Sequence, residues 1–406
     1  MMIRQLIPLV GALALAGCAT YPPAETGEDP PNDMTMEREA SGAMALFPAL
    51  DAEAGRDKNI VYSPASVDQA FGLLRLGAAG ETAAQLDSIL PAPRSADYLR
   101  TDRDDVEVRI ANALFLSDDF RFRDSYVAAA DRRYDAKAQA IDVLAPDASA
   151  GQINAWADQA TEGLIPQVIS PSAITPDLVA VLANALYFDG KWERKLLHGS
   201  TRDFLFGDGS DRPFRFVGDI QEQKLVESDG YQALRLPYRN TRYAMDIVIP
   251  KQRTVMRESP ALDRVASLAA MLDSAEPRLV DIAIPQFEVD YDTGLVPALK
   301  ALGLTLPFDR QRADLSAMVE PGQTPVWVSD VRHLAKLQVF DAGTRAAAVT
   351  TVSIITTSAR AYPVKPVPFL ADRPFLIVIR DLQEGEVLFI GRIADPQEFT
   401  PEVQDF

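Results

Sequence analysis

The sequence predicts an α+β protein, because helical patterns gather in its first half, strand patterns gather in its second, and regular βαβ units are few. Apolar residues spaced three or four apart predict helices at Met34–Glu53, Ser66–Leu76, Glu81–Leu90, Asp124–Tyr134, Ala148–Thr161, Pro260–Leu272 and Thr293–Leu302. Two of these carry start signals, Ser63-Pro64 before the second and Gly80 before the third. β-branched and aromatic runs predict strands at Val106–Leu116, Leu178–Phe188, Tyr243–Ile249, Val280–Val289, Val326–Val339, Phe375–Arg380 and Val387–Ile393.

One stretch fits neither pattern simply. Asp341–Arg360 has one glycine, no proline and mostly small or β-branched side chains, which is strand-forming material. It follows an apparently complete strand, Lys336–Phe340, and precedes the loop-like Tyr362-Pro-Val-Lys-Pro-Val-Pro368. Those flanks leave it room to be a long exposed loop.

The chain has 406 residues, of which 47% are hydrophobic and 24% charged, so it has the composition of an ordinary globular protein. Its net charge of −18 argues against nucleic acid, polyanions or anionic membrane surfaces as main partners, since each would be repelled. Residues 1–17 read as an export signal: Arg4 supplies the positive end, and the apolar run Leu6–Leu15 is too short for a stable span. Leu15-Ala-Gly-Cys18 resembles the lipobox of bacterial lipoproteins. That resemblance implies cleavage before Cys18, lipid on its thiol and amine, and residence in the bacterial cell envelope. Ala19 is not the aspartate associated with inner-membrane retention, which favours the outer membrane. The other reading is a plain secretory signal with an accidental cysteine. Cys18 is the only cysteine, so no intrachain disulfide can form. Residues 18–36, acidic and proline-rich, read as a flexible tether, and residues 37–406 as one large domain without repeats or a second linker.

Catalytic signatures are missing. His198 and His333 are the only histidines and lie in unrelated contexts, no serine sits in a nucleophile elbow, and no phosphate, dinucleotide or HExxH motif occurs. Two histidines and a lipidated cysteine do not make a structural metal site, so no metal or cofactor is expected. The 58 carboxylates read as a solvated acidic surface, with a carboxylate-dependent hydrolase kept only as a third alternative. The sequence therefore reads as a non-enzyme.

Several blocks, in order and at matching distances, resemble the serpin family. They are Asn59-Ile-Val-Tyr-Ser-Pro-Ala-Ser66 with Ala70–Leu86, then Ile153-Asn-Ala-Trp156 with Thr161-Glu-Gly163, and Leu182–Glu193. Ile284-Pro-Gln-Phe287, Leu302-Gly303, Phe308 and Ala313-Asp-Leu-Ser316 follow, and His333, Asp341–Ala348, Asp372-Arg-Pro-Phe375 and Leu388-Phe-Ile-Gly-Arg392 complete the set. The resemblance implies three β-sheets and about nine helices, with residues 341–362 as a reactive loop exposed on a metastable native state. It also implies a suicide-substrate mechanism. A serine protease, or a cysteine protease, attacks the loop; the cut loop then enters the main sheet and traps the acyl-enzyme.

The residues permit that motion. With Thr344 facing the core, alternation sends Thr344, Ala346, Ala348, Thr350, Val352, Ile354 and Thr356 inward and Arg345, Ala347, Val349, Thr351, Ser353, Ile355 and Thr357 outward. The inward set carries no charge. Burying one would cost several kcal/mol. Asp341 and Gly343 stand at the pivot, with Asp341 where the family prefers glutamate, and Arg345 departs from the family's usual acid but falls on the outer face. Counting from Asp341, the family's spacing puts the scissile bond at Thr357–Ser358, with Thr356 and Arg360 as alternatives. Thr357 would suit a protease preferring small or β-branched residues, and Arg360 a trypsin-like one. Ser63, Ser66, Asn184 and His333 match the family's polar cluster beneath the opening of the sheet, and Trp192 the aromatic near its top. Ordinary core packing is the competing reading for all five. The expected protein is thus a monomeric, lipid-anchored protease inhibitor, or else a non-inhibitory serpin acting as an envelope binding or scaffold protein.

Overall fold

A computed structural model describes residues 42–90, 101–103, 106–256, 258–323, 325–345 and 364–399. All of them fall in one compact unit, Met34–Phe406. In chain order the α-helices are α1 (Phe47–Ala54), α2 (Pro64–Gly77), α3 (Gly80–Ile89), α4 (Asp124–Tyr134), α5 (Pro146–Ala160), α6 (Leu262–Ser274) and α7 (Val296–Ala301). Three short 3₁₀ helices accompany these seven α-helices among the described residues. None is long and apolar enough to cross a membrane.

Helix starts follow local chemistry. Ser63 caps α2 by accepting the Ser66 amide at 3.1 Å, and Pro64 occupies the first turn, where its missing N–H leaves nothing unpaired. Helix α4 opens on Asp124, closes on Arg132 and Arg133 in accord with the helix dipole, and stops where Asp135 turns left-handed at φ 47°.

The strands are β1 (Ile60–Tyr62), β2 (Thr101–Arg103), β3 (Val106–Ser117), β4 (Lys137–Ile141), β5 (Ala180–Lys191) and β6 (His198–Leu205). Then come β7 (Asp211–Gln223), β8 (Leu225–Ser228), β9 (Tyr231–Pro237), β10 (Tyr243–Pro250), β11 (Arg278–Pro285) and β12 (Phe287–Gly294). The chain ends with β13 (Asp330–Val339), β14 (Gly343–Arg345), β15 (Val367–Leu370), β16 (Phe375–Asp381), β17 (Glu386–Ile393) and β18 (Gln397–Glu398). They form three sheets: β1-β17-β16-β10-β9-β8, β15-β11-β7-β6, and a main sheet β18-β12-β13-β14-β5-β3-β2 with β4 beside β3.

The run Val280–Val289, expected as one strand, is two. Pro285 ends β11, Gln286 makes the corner, and Phe287 starts β12 in a different sheet. Strand β13 begins at Asp330, not at Val326. The loop-like segment near Pro368 contributes β15, whose place at the edge of its sheet tolerates a proline without an N–H.

The main sheet has an unusual centre. Strands β5 and β13 pair in parallel from Asp330↔Val181 to Leu334↔Ala185. Toward their other ends they admit β14 between them, antiparallel to both, with Val339↔Thr344 on one side and Thr344↔Gly190 on the other. Helix α2 packs beneath, contributing Val67, Phe71 and Leu74 to the core that also holds Leu182 and Val331. A second core, around Phe188, Trp192, Tyr238 and Phe389, fills the space between the main sheet and the six-stranded one.

Candidate functional site

Two side-chain clusters sit where β5 and β13 meet and where they part. At the open end, β13 turns back on itself through Phe340, Asp341 and Ala342 into β14. Four hydrogen bonds fix this turn. The Phe340 amide donates to the Gly343 carbonyl at 3.0 Å, the Trp192 amide to the Ala342 carbonyl at 2.9 Å, and the Leu196 amide to the Asp341 carbonyl at 2.9 Å. The Trp192 indole Nε1 donates to the Phe340 carbonyl at 3.0 Å. Trp192, 2% exposed, therefore works as a polar anchor as well as an apolar filler.

Past the turn, the strand can enter only because Gly343 lacks a side chain: a Cβ there would lie 2.2 Å from the Gly190 carbonyl oxygen. Thr344 follows, with no exposed surface, and its Oγ1 accepts the Tyr238 hydroxyl at 2.9 Å. The Tyr238 ring stacks on Trp192, with centroids 4.7 Å apart, and meets Phe188 edge-on at 4.9 Å. Burial pushes the Tyr238 phenol well above its ordinary range, so it remains a donor to Thr344.

The second cluster lies six residues down the strands, about 20 Å at strand rise. His333 Nε2 accepts the Ser63 amide at 3.2 Å, which leaves the ring proton on Nδ1, facing Asn184 Oδ1 at 3.3 Å. The Ser66 hydroxyl donates to the same Oδ1 at 2.5 Å, and Asn184 Nδ2 donates to the Ser66 carbonyl at 2.8 Å and to Asn112 Oδ1 at 2.7 Å. Tyr62 stands edge-on to the imidazole at 5.2 Å. With His333 fully buried, desolvation depresses its pKa to about 3. The imidazole is thus neutral and engaged with a backbone amide and an asparagine. This is a polar latch bridging α2, β5 and β13, and its geometry differs from a serine–base pair.

Ser63, Ser66, Asn184 and His333 are brought together, and Trp192, Asp341, Gly343 and Thr344 form the other group. Ala346, Ala347, Ala348, Thr350, Thr356, Thr357, Ser358, Arg360 and Cys18 lie outside the described residues. Tyr238, Phe340, Leu196 and Asn112 are among the participants that escape the sequence reading. Asn112 left a readable trace, a polar residue in line with Val106, Val108, Ile110, Leu114 and Leu116 on the otherwise apolar face of its strand. Tyr238 did not, because its partner Thr344 is 106 residues away.

The profile of the Serpin (serine protease inhibitor) family matches residues 37–396. The chain belongs to the serpin family. Serpin-Z10 of Arabidopsis thaliana is 30% identical over 387 residues, covering 90% of this serpin and 98% of the plant protein. Among solved structures, native protease nexin-1 with heparin superposes with a TM-score of 0.78 at 24% identity, covering 89% of this chain and 99% of that one. Thyroxine-binding globulin in complex with thyroxine gives 0.76 at 20% identity, over 90% of this chain and 100% of that one. Both structural likenesses speak to the fold alone. The turn and the polar latch described above thus lie in the main sheet of a serpin.

Proposed function

We propose that this serpin is a suicide-substrate inhibitor of serine-type proteases, and that the entry of Gly343–Arg345 between β5 and β13 is the first step of its loop insertion. That partial entry carries the reading. The strand is already threaded, and Thr344 already occupies an inward, uncharged position. Continuing its two registers down the sheet brings Thr350 level with His333 on β13 and with Asn184 on β5. Those two residues face each other while the sheet is closed. An inward threonine hydroxyl at that level can take over hydrogen bonds that His333 and Asn184 lose as they separate.

Insertion replaces five parallel pairings, Asp330–Leu334 with Val181–Ala185, by antiparallel ladders on both edges of the new strand. Each net hydrogen bond contributes about 1 kcal/mol, so roughly ten of them supply the driving force. In the target, the attacking serine oxygen forms an ester with the Thr357 carbonyl carbon. The Thr357–Ser358 amide breaks, and the amine of Ser358 leaves. A cysteine nucleophile would form the thioester at the same carbon. Thr357 favours a protease with a shallow pocket for small or β-branched residues, Thr356 and Arg360 being the alternative attack points. The envelope placement follows from Cys18: a lipidated monomer held by residues 18–36, guarding the bacterial surface or periplasm, outer membrane in preference to inner.

The test is incubation of the purified protein with elastase-like, subtilisin-like and trypsin-like proteases. A denaturant-stable covalent complex, cleavage mapped to Thr357–Ser358 and a large rise in melting temperature after the cut are expected. Cleavage with neither complex nor stabilisation would replace this reading with that of a non-inhibitory binding or scaffold serpin.

A further inference from the structure

The family profile stops at residue 396, yet the chain continues, and the next three residues run along β12 and end against the hinge, the turn Phe340–Ala342 with the strand Gly343–Arg345 that follows it. Strand β18 adds to the outer edge of β12, pairing Glu398 with Phe287 and Gln397 with Glu288. The Gln286 side-chain amide donates to the Phe399 carbonyl at 2.8 Å. Held in this way, the Phe399 ring meets the Phe340 ring edge-to-face, with centroids 6.3 Å apart and planes at 69°. Phe340 is the residue whose carbonyl receives the Trp192 indole and whose amide closes the turn onto Gly343.

We propose that Gln397–Phe399 is an intramolecular brace for the hinge, with Phe399 as a positioning residue acting through Phe340. The brace rides on β12, on the same side of the sheet opening as β13, and therefore leaves the separation of β5 from β13 unopposed. What it restrains is the turn. With Phe399 in place, the Phe340 ring is covered, the turn keeps its hydrogen bonds, and Gly343–Arg345 stays in the sheet. Without it, the turn opens more often and the hinge withdraws. The brace acts whether or not the loop ever traps a protease.

Hydrogen–deuterium exchange on the full chain tests this directly. Phe399→Ala, and separately deletion from Gln397 onward, are expected to speed exchange in the peptide spanning Phe340–Arg345 about three- to tenfold, the worth of one aromatic pair. Exchange in Asp330–Leu334 is expected to stay at the wild-type rate, and Phe399→Tyr, which keeps the ring, to restore protection. Unchanged exchange in Phe340–Arg345 for Phe399→Ala would overturn the proposal. So would equal acceleration in both peptides, which would make the tail a general stabiliser.

Discussion

Removing the Thr344 hydroxyl tests whether the hinge is held in the sheet by the contact seen here. Tyr238 has no exposed surface, and Thr344 Oγ1 accepts its hydroxyl at 2.9 Å. Thr344→Val keeps the shape and strands a buried donor, a penalty of about 1–3 kcal/mol. The hinge has an escape, since withdrawing β14 returns the phenol to water. The cost should therefore appear as opening of the hinge by a factor of roughly 5 to 150, with little change in global melting temperature. Tyr238→Phe removes the donor and should open the hinge by a smaller factor. In the double variant both polar groups are gone, so its effect should fall short of the sum of the singles by about 1–2 kcal/mol. Thr344→Ser retains the acceptor and should stay close to wild type. Exchange of the Gly343–Arg345 amides reads the opening. Wild-type protection in Thr344→Val, or strict additivity in the double variant, would refute the reasoning.

Thr350→Arg would place an unpaired charge beside His333 and Asn184 on insertion, at a cost of several kcal/mol. On the proposed mechanism it should convert the protein from inhibitor to substrate, and trapping at the wild-type stoichiometry would contradict the inward register. His333 is held neutral by burial, with a pKa of about 3 against an ordinary 6.5. Its contribution to stability is whole above pH 6.5 and is lost as pH falls toward 3, because the unfolded chain takes up a proton that the folded one refuses. The slope is about 1.4 kcal/mol per pH unit, so His333→Gln should flatten the decline in denaturation midpoint between pH 6.5 and 5, and an unchanged slope would speak against it. Cys18→Ala should release the protein from the membrane fraction, as read by fractionation and immunoblot, and continued membrane association would count against lipidation at Cys18.

Much of the fold was legible because most elements bury one face and say so in their spacing. Helix α4 was read to the residue, and β3, β10, β16 and β17 to within a residue or so at each end. Strands β6 and β7 were invisible: the first six residues of β6 are exposed, so no apolar alternation marks it. The split at Gln286 had one local sign, Pro285, which cannot donate to a ladder inside a continuous strand, but the change of sheet that it marks is recorded only in the long-range pairings. In the site, the latch residues and the hinge could be picked out by motif. The partners that hold them could not, since Tyr238, Phe340 and Phe399 reach the hinge through contacts that no local pattern records. Such residues look like ordinary core until their long-range neighbours are known.

The parallel pairing of β5 with β13 has a consequence for how this chain can evolve. A parallel ladder is somewhat weaker per residue than an antiparallel one, and here it runs for only five pairs. The seam is therefore a weak join between two long central strands, and the loop insertion proposed above would replace it with antiparallel ladders. Substitutions that tighten Asp330–Leu334 against Val181–Ala185 should raise resistance to heat and, by the same free energy, slow the proposed loop insertion. Thermal robustness and readiness to rearrange are thus opposite settings of one adjustment.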